Sequence, residues 1–286
     1  MADIDLWDAQ AFGISQNEAV QTDPQQRMLL TCMVATLRHS GLSIESLKGS
    51  NRGVAVGIAT AEYSRLLADT NAPLTPYMAL QGTVSVACGR LSYTFGCNGP
   101  SYSIDTACSS SLVSTHLAAT MLSIGECDSS TSMGVQHFLT PGPLLVLAIS
   151  NMLTPDGRCK TLDQSADGYV RGEACGALDL QLATEDGCAA LVDVCGSAVN
   201  QDGRSSSLTA PNGPSQTALI KDSMHNANLS PMAYEQHEMH GTGTPLGDPI
   251  EVRAACAVLF QRPRTERPVC LSAAKVTYGH GEAAAG

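Results

Sequence analysis

The chain has 286 residues, 43% hydrophobic and 15% charged, with a formal net charge of −11. That length supports one large core or two modest ones. The composition excludes a disordered or fibrous chain, and the lack of a dense basic run excludes a nucleic-acid partner, because phosphate binding needs clustered Lys and Arg. Eleven cysteines, an odd number with no CxxC pair, argue against a structural metal or a disulfide framework. Ten of them are expected to be buried and reduced; Cys108 is set apart below. The richest apolar run, Leu144 to Ile149, is far shorter than the roughly 18–20 residues of a membrane span. Asp3, Asp5 and Asp8 with no basic start show no secretory signal, so a cytoplasmic enzyme is expected, with organellar targeting upstream of this chain left open.

In chain order, Asp23-Pro24-Gln25-Gln26 predicts a helix start: Asp caps, Pro fits the first helical position, and Gln26 completes a capping box. The helix should run to about His39, with Gly41 in the left-handed position after it. Gly53 to Ala59 and Ser101 to Ala107 read as strands, and Ser109 to Ile124 as a helix with Leu112, Leu117, Met121 and Leu122 on its apolar face. Met133 to Phe138 reads as a third strand. Residues 139–175 read as a long structured excursion. Gly176 to Leu182 and Ala190 to Val199 read as neighbouring strands joined through Glu185-Asp186-Gly187. A helix is expected over Ser215 to Ala227. A second capping box, Asp248-Pro249-Ile250-Glu251, should open a helix to about Phe260, and Val269 to Ala274 reads as a strand. Glu282 to Ala285 reads as the first turn of a helix. Strands alternating with helices predict an α/β fold with a largely central sheet.

Three stretches carry the chemistry. In Asp105-Thr106-Ala107-Cys108-Ser109-Ser110-Ser111-Leu112, a strand delivers Cys108 to the mouth of a helix. Free N–H groups and the positive helix end favour a thiolate there, and the serines are placed to satisfy first-turn donors. In His240-Gly241-Thr242-Gly243-Thr244-Pro245, a histidine ends a short strand and faces a turn that a thin ligand can approach closely. His237-Glu238-Met239-His240 is not a zinc-protease motif, because its histidines lie three rather than four apart, and no Gly-Lys-Ser/Thr makes the glycines a P-loop. Lys275 to Glu282 puts a lysine, His280 and a glutamate at another strand-to-helix junction. A cysteine and two histidines at three strand ends suggest a shared site, and thiolate with histidine is the pattern of acyl transfer through a thioester.

Phe12-Gly13-Ile14-Ser15, Asp23 to Arg27, the Asp105–Leu112 segment, Asp167 to Glu173, Asn200 to Gln216, His240 to Glu251 and Gly279 to Gly286 span nearly the whole chain. In that order they resemble the β-ketoacyl synthase family, and most closely the ketosynthase domains of modular polyketide synthases. The resemblance implies a thiolase-like fold of stacked αβαβα layers. Residues 1 to about 190 would form the N-terminal half with its excursion, and about 190 to 286 the start of the C-terminal half. It implies that Cys108 is the nucleophile, that His240 and His280 serve decarboxylation and condensation, that Lys275 and Glu282 are a supporting pair, and that Thr242 and Thr244 line a phosphopantetheine channel. The implied reaction is a decarboxylative Claisen condensation in polyketide or fatty-acid biosynthesis. It uses no metal or separate cofactor, because phosphopantetheine arrives on an acyl carrier protein, and the usual assembly is a homodimer. The resemblance also implies that the chain is a partial domain. A core strand before Asp3 and a glycine-rich oxyanion loop beyond Gly286 would lie outside it, and the chain alone would lack full turnover. Two rival readings are a thiolase, which pairs histidine with a second cysteine, and an inactive fragment or non-catalytic partner of another synthase.

Overall fold

The structure is a computed structural model that describes residues 6–60, 62–70, 72, 75–81, 83–183, 190–260 and 267–286. The expected Glu185–Gly187 link, and Asp3 and Asp5, lie outside the described residues. The chain forms two compact units. One comprises residues 1–144, 173–188 and 281–286, the other residues 145–172 and 189–280.

The first unit is built on four strands, β1 (Arg52–Gly57), β2 (Ser101–Ile104), β3 (Ser129–Gln136) and β4 (Ala174–Leu180), in the order β2-β1-β3-β4. β1 runs parallel to β2 and β3, and β4 closes the sheet antiparallel to β3. Side chains alternate across a strand, and β1 feeds two cores. Val54 and Val56 pack with Leu29, Leu30, Met33, Leu37, Leu91 and Phe95. These come from the helices Pro24–His39 and Val84–Phe95. Ala55 joins Ile104, Ala118, Met121, Leu122 and Cys127, reached by the helix Ser110–Ser123. Covering on both faces explains why β1 is buried along its length and reads as a continuous apolar run.

β3 carries Ser130, Thr131 and Ser132 into the interior. The serines are tolerated because their hydroxyls find partners: Ser130 donates to the Ala118 carbonyl at 3.0 Å, and Ser132 meets Ser114 at 2.8 Å. Arg52 in β1 is also buried. It donates to Thr131 on β3 at 3.0 Å and pairs with Asp179 on β4.

The helix Pro24–His39 starts where expected, but only half of its capping box forms. Asp23 accepts the Gln25 N–H at 2.8 Å, while Gln26 turns away to accept from Arg90 at 2.6 Å. An ionised long-range donor outcompetes the Asp23 N–H. Part of the predicted excursion is helical, Pro141–Ile149. Its start is held by Glu62, whose carboxylate accepts the Leu139 and Thr140 N–H groups at 3.1 and 2.7 Å. Of the expected apolar face of Ser110–Ser123, Met121 and Leu122 are buried, but Leu112 is 61% exposed.

In the second unit, β5 (Gln236–Glu238) and β6 (Cys270–Ser272) pair in parallel. The helices Gly213–Asn226 and Gly247–Leu259 pack through Met224, Ala255, Val258 and Leu259. Residues 190–199, expected as a strand, are not a strand. Their apolar side chains Leu191, Val192, Val194 and Val199 are exposed, and the segment is tied instead to a helix end, where Asn226 donates to the Ser197 carbonyl at 2.9 Å.

The cysteines are less uniform than expected. All ten among the described residues are free thiols, but Cys195 and Cys270 are exposed. Burial pushes the thiols of Cys97, Cys127 and Cys159 up in pKa.

Candidate active site

In the first unit, β2 ends at Ile104 rather than Ala107, and Cys108 lies half-buried in a tight 3-10 turn, Ala107–Ser109, before the helix Ser110–Ser123. The turn holds Ala107 at φ +52°, in the left-handed region that non-glycine residues rarely enter. Local polar contacts hold it there. Asp105 accepts the Ala107 N–H at 3.1 Å. The Ser110 hydroxyl accepts the Thr106 N–H at 2.9 Å and donates to the Ala107 carbonyl at 2.7 Å. Ser109 donates to the Thr106 carbonyl at 2.9 Å. The serines expected to cap the helix therefore brace the turn that presents Cys108, and Ser111 accepts the Gly286 N–H at 2.8 Å. Gly57, at the end of β1, makes room for this turn: a Cβ there would lie 2.6 Å from backbone atoms of Ser110 and Ser111. Glu282 is in the same unit, in the single 3-10 turn Glu282–Ala284, where a longer helical start was expected.

The second unit holds His240, Thr242, Thr244, Lys275 and His280. The rings of His240 and His280 meet edge to face with centroids 5.3 Å apart, and Tyr169 also meets His280 edge to face, at 5.0 Å. His280 is 1% exposed. Its backbone is strapped to the segment 170–172, with the His280 N–H donating to the Val170 carbonyl at 2.7 Å and the Gly172 N–H to the His280 carbonyl at 2.8 Å. Burial, with the His240 ring and the Lys275 and Arg171 cations, pushes the pKa of His280 down to about 3. His240 is exposed to solvent. Even so, desolvation and then Lys275 push its pKa down to about 4, against a smaller opposing pull from Asp248. Both imidazoles are therefore uncharged at neutral pH, and each keeps one N–H to donate. Lys275 itself is buried at the start of the short helix Lys275–Tyr278.

The loop after His240 turns sharply. Gly241 sits at φ +50°, and a Cβ there would lie 2.8 Å from Ala273 and 2.9 Å from Thr161. Thr242 is buried, and the Thr244 hydroxyl accepts the Gly247 N–H at 3.1 Å. The expected capping box at Asp248 does not form. The helix begins at Gly247, and the carboxylates of Asp248 and Glu251 reach back to the loop instead. Tyr169 and Arg171, which flank His280, stood in the sequence within the Asp167–Glu173 stretch, where nothing but the family pattern singled them out.

Comparison with known proteins accounts for both units. The family model "Beta-ketoacyl synthase, N-terminal domain" matches residues 1–185, and "Beta-ketoacyl synthase, C-terminal domain" matches residues 191–286. The chain is 43% identical to the polyketide synthase GfsB of Streptomyces halstedii, over 99% of this chain and 5% of that protein. It is 42% identical to a phenolphthiocerol/phthiocerol polyketide synthase of Mycobacterium tuberculosis, over 99% of this chain and 13% of that protein. Among solved structures, it is similar to an oxazolomycin ketosynthase domain of Streptomyces albus (TM-score 0.93, 32% identity). It is also similar to the ketosynthase from module 6 of the bacillaene synthase of Bacillus subtilis (TM-score 0.90, 35% identity). Each likeness covers the whole of this chain and 50% of the solved one. The chain thus spans about half the length of the solved ketosynthases and a small part of the curated relatives, and the likeness establishes the thiolase-like α/β fold. With both parts matched in order across the described strands and turns, the chain belongs to the β-ketoacyl synthase family.

Proposed function

We propose that this chain carries residues of a carbon–carbon bond-forming acyltransferase, a β-ketoacyl synthase acting on carrier-bound thioesters. The observation that carries the reading is the His240–His280 pair, two uncharged imidazoles edge to face beside Lys275. In the first stage the Cys108 thiolate attacks an acyl thioester. The new S–C bond forms as the carrier's thiol leaves, giving an acyl-enzyme. In the second stage a malonyl-type thioester loses carbon dioxide, and the electron pair of the broken C–C bond passes to an enolate. N–H groups of His240 and His280 donate to the developing enolate oxygen. The enolate carbon attacks the acyl-Cys108 carbonyl, and collapse of the adduct expels the Cys108 thiolate and gives a β-ketoacyl thioester. The scheme needs neither a metal nor a redox cofactor.

In this reading Lys275 and Glu282 support the histidines, and Thr242 and Thr244 contact the phosphopantetheine arm of an acyl carrier protein or carrier domain. The ends of the two family matches support a division near residue 190 into an N-terminal half and the start of a C-terminal half. A homodimer is supported by β2, which among the described residues lies at the edge of its sheet with Tyr102 exposed, a place where a second copy could pair. A cytosolic setting agrees with ten free thiols. Among the described residues no helix is long and apolar enough to cross a membrane.

The test separates the two stages. Mass spectrometry of the acyl-enzyme reads the first, and release of labelled carbon dioxide from a malonyl thioester reads the second. Cys108→Ala should abolish acylation. His240→Ala and His280→Ala should spare acylation while decarboxylation falls by about 100-fold or more, the usual effect of removing one oxyanion donor. Equal loss of both stages in the histidine variants would overturn the assignment.

A further inference from the structure

The loop that carries His240 is gripped by two carboxylates from the helix Gly247–Leu259. Glu251 reaches back with both oxygens: one accepts the N–H of His240, and the other accepts the N–H of Gly241 at 2.9 Å. Asp248 does the same further along, accepting the Gly243 and Thr244 N–H groups at 3.1 and 3.3 Å with one oxygen and the Leu162 N–H at 3.0 Å with the other. The carbonyls of the loop are held as well. The Thr161 hydroxyl donates to the Gly241 carbonyl, and the Gly168 N–H donates to the Gly243 carbonyl at 3.1 Å.

A capping role would direct these carboxylates at the first-turn N–H groups of their own helix. They point instead at the peptides that set where the His240 ring stands. Charge-assisted hydrogen bonds to backbone N–H groups are short and directional, and paired oxygens fix orientation as well as distance. The left-handed turn at Gly241 begins at the peptide Glu251 holds, so the clasp sets the direction in which the chain leaves His240. The carboxylates act through geometry more than through proton affinity. Lys275 outweighs Asp248 at the His240 ring, and Glu251 is not among the groups that shift its pKa.

We propose that Glu251 and Asp248 are positioning residues for the decarboxylation step, holding the His240 imidazole against His280 by fixing the backbone of residues 240–244. The inference rests on the reading of His240 given above.

Glu251→Gln keeps the side-chain length but replaces one acceptor oxygen by an NH2 group that faces an N–H. In the intact protein, this variant should lower decarboxylation on pre-acylated enzyme by roughly 10- to 100-fold, the scale of an imidazole displaced by about 1 Å. The acylation rate of Cys108 and the KM for the malonyl thioester should stay within about twofold, since the loss falls on an interaction made in the transition state. The acidic limb of the pH profile should not move. Asp248→Asn should show the same split between stages. Decarboxylation within about twofold of the parent, or acylation lost in parallel with decarboxylation, would overturn the proposal. So would failure of both variants to fold, which would make the clasp a brace of the fold alone. His240→Ala, run alongside, keeps the two readings apart: unimpaired decarboxylation in that variant would sink the assignment of His240, whatever Glu251→Gln does.

Discussion

The neutral histidine pair makes a quantitative prediction about pH. An ordinary histidine, with a pKa near 6.5, would be about 90% protonated at pH 5.5. With its pKa at about 4, His240 would be only about 3% protonated at that pH, and His280, at about 3, less still. A first proton on either ring would set a cation beside Lys275 and raise the cost of a second, since the rings are 5.3 Å apart. Decarboxylation by pre-acylated enzyme should therefore stay level from about pH 7.5 down to about pH 5 and fall only below it. Pre-acylation matters because it removes the ionisation of the Cys108 thiol from the measurement. The same shifts bear on stability. Each folded-state pKa lies below the unfolded value, so from pH 6.5 down to about 4 for His240 and about 3 for His280 the unfolded chain binds more protons and stability falls as the pH drops. Imidazole resonances followed by NMR report the same transitions directly. An inflection near pH 6.5, in the rate or in the resonances of His240 and His280, would refute the argument.

Two further outcomes follow from the same geometry. Burial is the larger cause of both depressed pKa values, and Lys275→Met removes a cation that adds to it, so the acidic limb of decarboxylation should move to higher pH; an unmoved limb would show that burial and the other neighbours suffice to hold the imidazoles neutral. Gly57→Ala puts a Cβ 2.6 Å from the backbone of Ser110 and Ser111 and should cost about 1–3 kcal/mol, read as a lower midpoint of thermal unfolding, with slower acylation of Cys108 as the turn is displaced. Unchanged stability would show that the turn can shift freely.

Much of the fold was legible in the sequence because it rests on local rules. Asp23-Pro24 started its helix, the run from Gly53 became a buried strand, and Cys108 stands at the mouth of a helix, since capping, periodicity and turn chemistry act over a few residues. The chain's order of motifs was also enough to identify its family. Where the reading failed, a partner distant in sequence decided the outcome. Gln26 answers to Arg90 rather than to its own helix start, and residues 190–199 are tied to a helix end rather than paired as a strand. Asp248 and Glu251 fit a capping pattern by spacing, yet their charge goes to the N–H groups of the His240 loop. Proton affinity lies furthest from the sequence. Nothing in the residues around His240 or His280 announces a neutral imidazole, because that depends on how far the folded chain desolvates each ring and on Lys275 being brought alongside. Both are properties of packing that exist only once the chain has folded.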